Sequence, residues 1–326
     1  MRILITGGAG FIGSHLCEAC LSEGHEVYVI DDLSTGRFEN VEHLTVNEDS
    51  RNRFFFTHDT ILNPEPLNRL VGTCDAVYHL AAAVGVRYIL DNPLESIRTN
   101  IQGTERVLET CDRFKKKVLI ASSSEVYGKH THAPLTETDN IIYGPSSKFR
   151  WSYAASKLMD EFTALAYFRT THLPVVIARL FNTVGPRQTG AYGMVIPRFT
   201  DQALDGEPLT VYGDGRQTRT FTYVLDVVEA LMSLMNEPKA MGELFNIGGT
   251  EEITMEALAR RIISATGSTS TFRLIPYNEA FPEGFEDMQR RVPDISKIKA
   301  LTGFHPKTDL DTILLKVAED RKANRT

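Results

Sequence analysis

"MRILITGGAGFIGSHL", residues 1 to 16, decides the fold. An apolar run, "RILIT" (2–6), leads directly into Gly7, Gly10 and Gly13 at G-x-x-G-x-x-G spacing, and these open a segment of helical periodicity (12–24). A strand that turns through glycines into a helix lets backbone N–H groups and the positive end of the helix dipole approach a pyrophosphate. The stretch therefore predicts a dinucleotide site at the C-terminal edge of a parallel sheet. The next apolar run, "EVYVI" (26–30), ends in Asp31 and Asp32, about 20 residues further on, where a carboxylate accepts hydrogen bonds from ribose hydroxyls. That carboxylate would repel a 2′-phosphate, so NAD is expected rather than NADP, with Arg37 the one nearby feature on the other side.

Outward from this unit, "RFFFT" (53–57), "AVYHL" (76–80), "KVLIAS" (117–122) and "PVVIARLF" (174–181) read as further buried strands. Helical spacing over 92–114 and 151–171 separates the later ones. The expected fold is α/β, a doubly wound parallel Rossmann sheet with a smaller, mixed C-terminal substrate-binding lobe. Residues 1–181 are assigned to the NAD-binding domain, with returns from about 214–248, and residues 182–326 mainly to the substrate lobe. The second part is punctuated by Pro and Gly ("NTVGPRQTGAYGMVIP", 182–197). It then shows helices near 195–205, 222–237, 254–265 and 309–323, and short strands at "LTVYG" (209–213) and "LFNIG" (244–248).

Composition narrows the partners. A net charge of −7 and a pI near 5.8 argue against a surface that coats nucleic acid. No apolar run approaches the roughly 18 residues that span a bilayer, so no membrane partner is expected and the cytoplasm is the expected location. Cys17 and Cys20 form a C-x-x-C inside a helical pattern, with no second ligand pair at metal spacing; they, Cys74 and Cys111 read as buried thiols. His130 and His132 fall in a polar loop, and no metal site is expected.

Two further stretches carry chemistry. "SSSEVYG" (122–128) puts three hydroxyls and Glu125 at the end of a strand pattern, and "YAASK" places Tyr153 and Lys157 on one face of a helix. Asp59, after the third strand pattern, is placed either to meet the adenine edge or to serve as a strand-end turn residue. Leu80, Ala81 and Ala82 are small enough to let a cofactor lie over the sheet edge. Phe11, Ile12, Thr35, Gly36 and Thr99 complete the candidate cofactor-binding set.

Together "TGGAGFIGSHL", Asp31, "SSSEVYG", "YAASK", "RLFNTVGPR", "EPLTVYGDGRQTRTFTYVLD" and "NIGG" resemble the extended short-chain dehydrogenases/reductases over essentially the whole chain. That family comprises nucleotide-sugar epimerases, dehydratases and decarboxylases. The resemblance implies a catalytic Ser123, Tyr153 and Lys157 acting with NAD on a sugar hydroxyl, usually at C4. Lys157 and the nicotinamide ring would lower the pKa of Tyr153. It also implies that Asn182, Arg187, the backbone of "PLTVYG" (Leu209, Thr210, Tyr212) and Arg219 hold a UDP-sugar, and that the protein is a homodimer.

Glu125 narrows the reaction. UDP-galactose 4-epimerases typically have no carboxylate there, and dTDP-sugar 4,6-dehydratases have an Asp where this chain has Ser124. The Ser-Ser-Glu order, "GPSSKFRWSYAASK" (144–157) and "DMQRRVPDISKIKAL" (287–301) resemble UDP-glucuronate decarboxylases, with Arg291 at their active-site arginine and Val292 in place of the usual lysine. The resemblance thus implies oxidation of UDP-glucuronate at C4, loss of carbon dioxide from a β-keto acid, and re-reduction to UDP-xylose. Arg291 would grip the carboxylate or steady the enolate, and Glu125 would manage the C5 proton. The competing readings are a 4-epimerase of UDP-sugars or UDP-uronates, a 4,6-dehydratase, and a non-catalytic NAD-binding sensor.

Overall fold

The computed structural model describes residues 1–190, 194–280 and 288–325. Residues 191–193 of the punctuated stretch and residue 287 of the C-terminal one lie outside the described residues. The chain begins β1 (Arg2–Thr6), α1 (Phe11–Ser22), β2 (Glu26–Asp31), α2 (Glu42–Val46), β3 (Phe54–His58), α3 (Pro64–Thr73) and β4 (Ala76–His79). It continues through α4 (Val86–Asp91), α5 (Pro93–Phe114), β5 (Lys117–Ser123), α6 (Arg150–Thr171) and β6 (Val175–Leu180). Then come β7 (Thr183–Val184), α7 (Val195–Leu204), β8 (Leu209–Tyr212), β9 (Thr218–Arg219), β10 (Thr222–Tyr223), α8 (Val224–Asn236) and β11 (Glu243–Ile247). The last elements are β12 (Ile253–Thr254), α9 (Met255–Thr266), β13 (Phe272–Ile275), α10 (Tyr277–Ala280), β14 (Arg290–Arg291), α11 (Ser296–Thr302) and α12 (Leu310–Ala323).

Seven strands form one parallel sheet in the order β11-β6-β5-β4-β1-β2-β3. The winding reverses between β1 and β4, which opens a crevice beyond their C-terminal ends. Side-chain alternation explains why these runs are apolar throughout. Ile3 and Ile5 of β1 face a cluster with Leu16 and Cys17 of α1 and Leu231 of α8. Leu4, between them, faces the opposite layer with Leu67 and Leu70 of α3 and Val107 and Leu108 of α5. α8 and β11, late in sequence, join this sheet and its helical cover, with Glu243 to Ile247 in register with Val176 to Leu180.

The sequence pattern gave no helix at 64–73, where α3 forms. Its start carries its own signal: Asn63 accepts a hydrogen bond from the Glu65 N–H and Pro64 occupies the first turn. A second core gathers α7, α9 and α12 around β8 through Phe199, Leu258, Ile313 and Leu209. The four cysteines are free and buried. His130, read as a loop residue, is also buried, and its ring bonds to the Asn140 carbonyl. No described helix is long and apolar enough to cross a membrane.

Candidate active site

A cleft of about 500 Å³ runs along the C-terminal edge of the sheet into the space between the two cores. Every cofactor candidate, from Gly7 to Thr99 together with Tyr153 and Lys157, lines it. The glycine turn is shaped by close approach. Gly7 has φ +72°, and a Cβ there would lie 2.8 Å from the Ala81 nitrogen; a Cβ on Gly13 would lie 2.1 Å from the Gly7 carbonyl oxygen. α1 starts after Gly10 with no side-chain cap and no acid in its first turn, so its first N–H groups face the cleft unscreened by a protein carboxylate. Asp31 accepts from the Ala9 and Leu33 N–H groups, both at 2.9 Å. Burial raises its carboxyl above the usual range, against the lowering effect of those two bonds. Uncapped N–H groups, an acid at the end of β2 and a turn that no side chain obstructs fit a dinucleotide. Asp59 also accepts from the Thr60 N–H at 2.8 Å and from Asn63 Nδ2, so it ties up its own turn as well as lining the cleft.

The reactive residues converge where β5 ends. Ser122 donates to Glu161 at 2.5 Å, and Glu161 is gripped in a fork by Arg179 at 2.8 and 2.7 Å. That hydroxyl is therefore structural. Ser123 accepts from the Glu125 N–H at 3.2 Å and is hydrogen-bonded to the Tyr153 side chain. Ser124 is buried beside it and also lines the cleft.

Glu125 lies between two arginines. Arg150 donates to its Oε2 at 2.7 Å and Arg291 to its Oε1, while the other terminal nitrogen of Arg291 donates to Asn182 Oδ1 at 2.7 Å. Burial works to raise the Glu125 carboxyl, but the charges and hydrogen bonds of Arg150 and Arg291 outweigh it and hold it at about 2. Among the protein groups alone, Tyr153 is shifted upward. Burial, then the carboxylates of Glu125 and Asp160, push its phenol well above the usual range, and the Ser123 hydrogen bond and Arg291 charge oppose them only in part. The Lys157 ammonium donates to Asp160 at 3.2 Å, both side chains being buried.

At the sugar-nucleotide end, β14 lies parallel to β9, so that Arg291 is in register with Arg219. Val292 contributes through its backbone: its carbonyl accepts from the Leu135 N–H at 2.8 Å. Asn182, Tyr212, Arg219 and Arg291 line the cleft. Arg187, Leu209 and Thr210 are not among the lining residues. Arg187 adopts φ +69° and turns to α1, donating to Glu18 at 2.5 Å and Ser14 at 3.2 Å, so it joins the two cores. Leu209 belongs to the second core, and Thr210 is engaged by Gln202 and Arg198.

Two arginines in the cleft escaped the sequence reading. Arg150 stands one helical turn before Tyr153, a spacing that could have flagged it. Arg198 on α7 stacks on the Tyr212 ring at 4.1 Å and donates to the Thr210 carbonyl at 2.7 Å; nothing in "VIPRF" distinguishes it from an ordinary helix residue.

Three comparisons place the chain among known proteins. The family described as GDP-mannose 4,6 dehydratase matches residues 4–317. The chain is 44% identical over 306 residues to a UDP-N-acetyl-alpha-D-glucosaminuronate decarboxylase of Bacillus cytotoxicus, covering 94% of this chain and 92% of that one. It is 40% identical over 318 residues to UDP-glucuronic acid decarboxylase 1 of Danio rerio, covering 98% and 72%. Among solved structures, UDP-glucuronic acid 4-epimerase from Bacillus cereus, in complex with UDP-glucuronic acid and NAD, superimposes with a TM-score of 0.88. Its identity is 32%, over 99% of this chain and 100% of that one.

Proposed function

This chain belongs to the GDP-mannose 4,6-dehydratase family of extended short-chain dehydrogenases/reductases, and from that premise we propose that it decarboxylates a UDP-hexuronate, UDP-glucuronate by preference. It is an NAD-dependent enzyme of nucleotide sugars. The decarboxylase reading is carried by the Arg150–Glu125–Arg291 cluster set beside Tyr153. Epimerisation returns hydride to the other face of C4 and needs no such cluster. A sugar with its own carboxylate at C5 meets a favourable field where two guanidinium groups gather.

The residues divide the work as follows. Bound NAD supplies the acceptor for the C4 hydride and returns it at the end. Tyr153, steadied by Ser123, takes the proton of the C4 hydroxyl; since burial and Glu125 hold its phenol high, ionisation relies on positive charge brought close to it. With C4 a ketone, the C5 carboxylate is that of a β-keto acid. The bond between C5 and the carboxyl carbon breaks, its electron pair passes to the C4 oxygen as an enolate, and carbon dioxide leaves. Arg291 is placed to steady that oxygen. Glu125, held at about 2, carries no proton at neutral pH, so its part is to hold the two arginines in place rather than to protonate C5. The C5 proton comes from another donor.

The nucleotide lies toward Tyr212 and Arg219, in the lobe formed mainly by residues 182–326, and NAD over residues 1–181 with their returns at 214–248. A homodimer is supported by Leu94 on α5 and Met159 and Phe162 on α6, large apolar side chains left exposed on packed helices. A cytoplasmic location is supported by the four reduced, buried cysteines.

The 44% relative favours a second substrate, the 2-acetamido hexuronate, and the Bacillus cereus structure favours a second outcome, 4-epimerisation of the same anionic sugar. Incubating the protein with UDP-glucuronate, UDP-N-acetylglucosaminuronate and UDP-glucose, and following products by mass, separates them. Loss of carbon dioxide from either uronate supports the proposal; unchanged mass with altered retention establishes an epimerase, and loss of water a dehydratase.

A further inference from the structure

Beneath the active-site lysine runs a buried polar chain that the proposed chemistry does not use. Lys157 donates to Asp160 at 3.2 Å, and Asp160 is hydrogen-bonded to the Thr104 side chain of α5. Thr104 Oγ1 lies 3.0 Å from His79 Nε2, and His79 Nδ1 lies 2.8 Å from Thr6 Oγ1, at the point where β1 and β4 part. Thr6 Oγ1 in turn accepts from the Ala81 N–H at 3.2 Å, beside the cofactor edge. Thr6, His79, Thr104, Lys157 and Asp160 are each 3% exposed or less.

With Asp160 ionised to face the Lys157 ammonium, the donors and acceptors run in one direction. Burial, reinforced by the charge of Lys157, lowers the His79 imidazole to about 3, so it is neutral and carries a single proton. Thr6 accepts from Ala81 and donates to Nδ1; Nε2–H then donates to Thr104, and the Thr104 hydroxyl donates to Asp160. The chain ends by presenting a hydroxyl proton to Asp160, on the side opposite Lys157. In that arrangement the Asp160 carboxylate has donors on both flanks, Lys157 and Thr104, which offset the burial that raises its carboxyl.

We infer that Asp160 is a positioning residue of this centre: its carboxylate, fixed by the Thr6–His79–Thr104 relay, anchors the Lys157 ammonium and sets how much positive charge reaches Tyr153 and the adjoining cofactor site. The inference rests on the reading of Tyr153 as the proton acceptor. The charged groups described around the phenol are Glu125 from the turn after β5, Arg291 from β14, and Arg150, Lys157 and Asp160 from α6 itself. Around Asp160 they are Lys157 and Glu161 on α6, with neutral His79 and Thr104 reaching in from β4 and α5. Glu161 is matched by Arg179, so Asp160 is the acid that answers Lys157.

The test is Asp160→Asn, which keeps the shape and removes the charge. Seven residues along a helix separate the two groups by about 10 Å, so losing the carboxylate should ease ionisation of Tyr153 by about one pH unit. The acid limb of the turnover profile should move down by that amount. Binding to protein stripped of nucleotide gives a readout without turnover: the variant should bind NAD⁺, whose ring is cationic, several-fold less well relative to NADH, whose ring is neutral. Thr104→Val, which removes the hydroxyl donor but keeps the acid, should shift both in the same direction by less, and it decides the matter if Asp160→Asn does not fold. An unmoved acid limb, or NAD⁺ and NADH affinities that change together, overturns the inference. Failure of every UDP-sugar to turn over would instead sink the proposed function, and the NAD⁺ to NADH ratio would still decide the role of Asp160.

Discussion

Glu125→Gln is the substitution whose consequences follow most directly from the geometry. The carboxylate is shared by Arg150 and Arg291, and its side chain is only 18% exposed. Those partners hold its pKa at about 2 against an ordinary 4.5. A difference of that size corresponds to about 3 kcal/mol of stability at neutral pH, in line with the usual cost of stripping one partner from a buried ion pair. Because the folded pKa is the lower one, this contribution is complete above about 4.5 and disappears as the pH falls through about 2. The glutamine variant should therefore unfold in urea at a distinctly lower midpoint at pH 7, and the gap to the parent should narrow as the pH is lowered through that window. NAD binding should survive while turnover of UDP-glucuronate collapses. A midpoint equal to the parent's at pH 7, or a gap that ignores pH, would show that the arginines do not depend on Glu125. Unchanged turnover would remove it from the mechanism.

Two further substitutions probe the ends of the cleft. Arg150→Met deletes one charged donor from the sugar end, worth about 1.5–3 kcal/mol, so the preference for binding UDP-glucuronate over UDP-glucose should fall by about 10-fold to 100-fold in calorimetry. An equal loss for both sugars would make Arg150 purely structural. Gly13→Ala places a methyl 2.1 Å from the Gly7 carbonyl, a backbone contact that no rotamer relieves. Its NAD affinity should drop at least tenfold in the same assay, since displacing that turn costs about 1–3 kcal/mol; retained affinity would mean that the turn is not the pyrophosphate cradle.

The dinucleotide half was legible because its signals are local. Gly7, Gly10, Gly13 and Asp31 fall within two consecutive strand-helix units, and Tyr153 and Lys157 within one helical turn. The substrate half depends on contacts between distant segments. β9 and β14 are two-residue strands that no periodicity reveals, yet their pairing is what sets Arg291 beside Arg219. Arg187, quoted within a motif, is not among the residues that line the cleft, because its partner, Glu18, lies on α1, 169 residues away. The same holds for Lys157: its spacing to Tyr153 was visible, but the neighbour that claims its ammonium, Asp160, gains its significance only from Thr104 and His79 on other elements. Glu125 was recognised as the residue that narrows the reaction. That two arginines would clamp it, and so hold its carboxyl well below the usual range, required Arg150 and Arg291 to be seen on either side of it.

In the proposed reaction a carboxyl group leaves a UDP-hexuronate with no net redox change, and isotope release reads out that loss. UDP-glucuronate labelled in its carboxyl carbon should release the label as carbon dioxide in step with formation of the pentose nucleotide, with no net accumulation of NADH. Label that stays in a product of unchanged mass, with the C4 hydroxyl inverted, would contradict the account and make this protein a 4-epimerase.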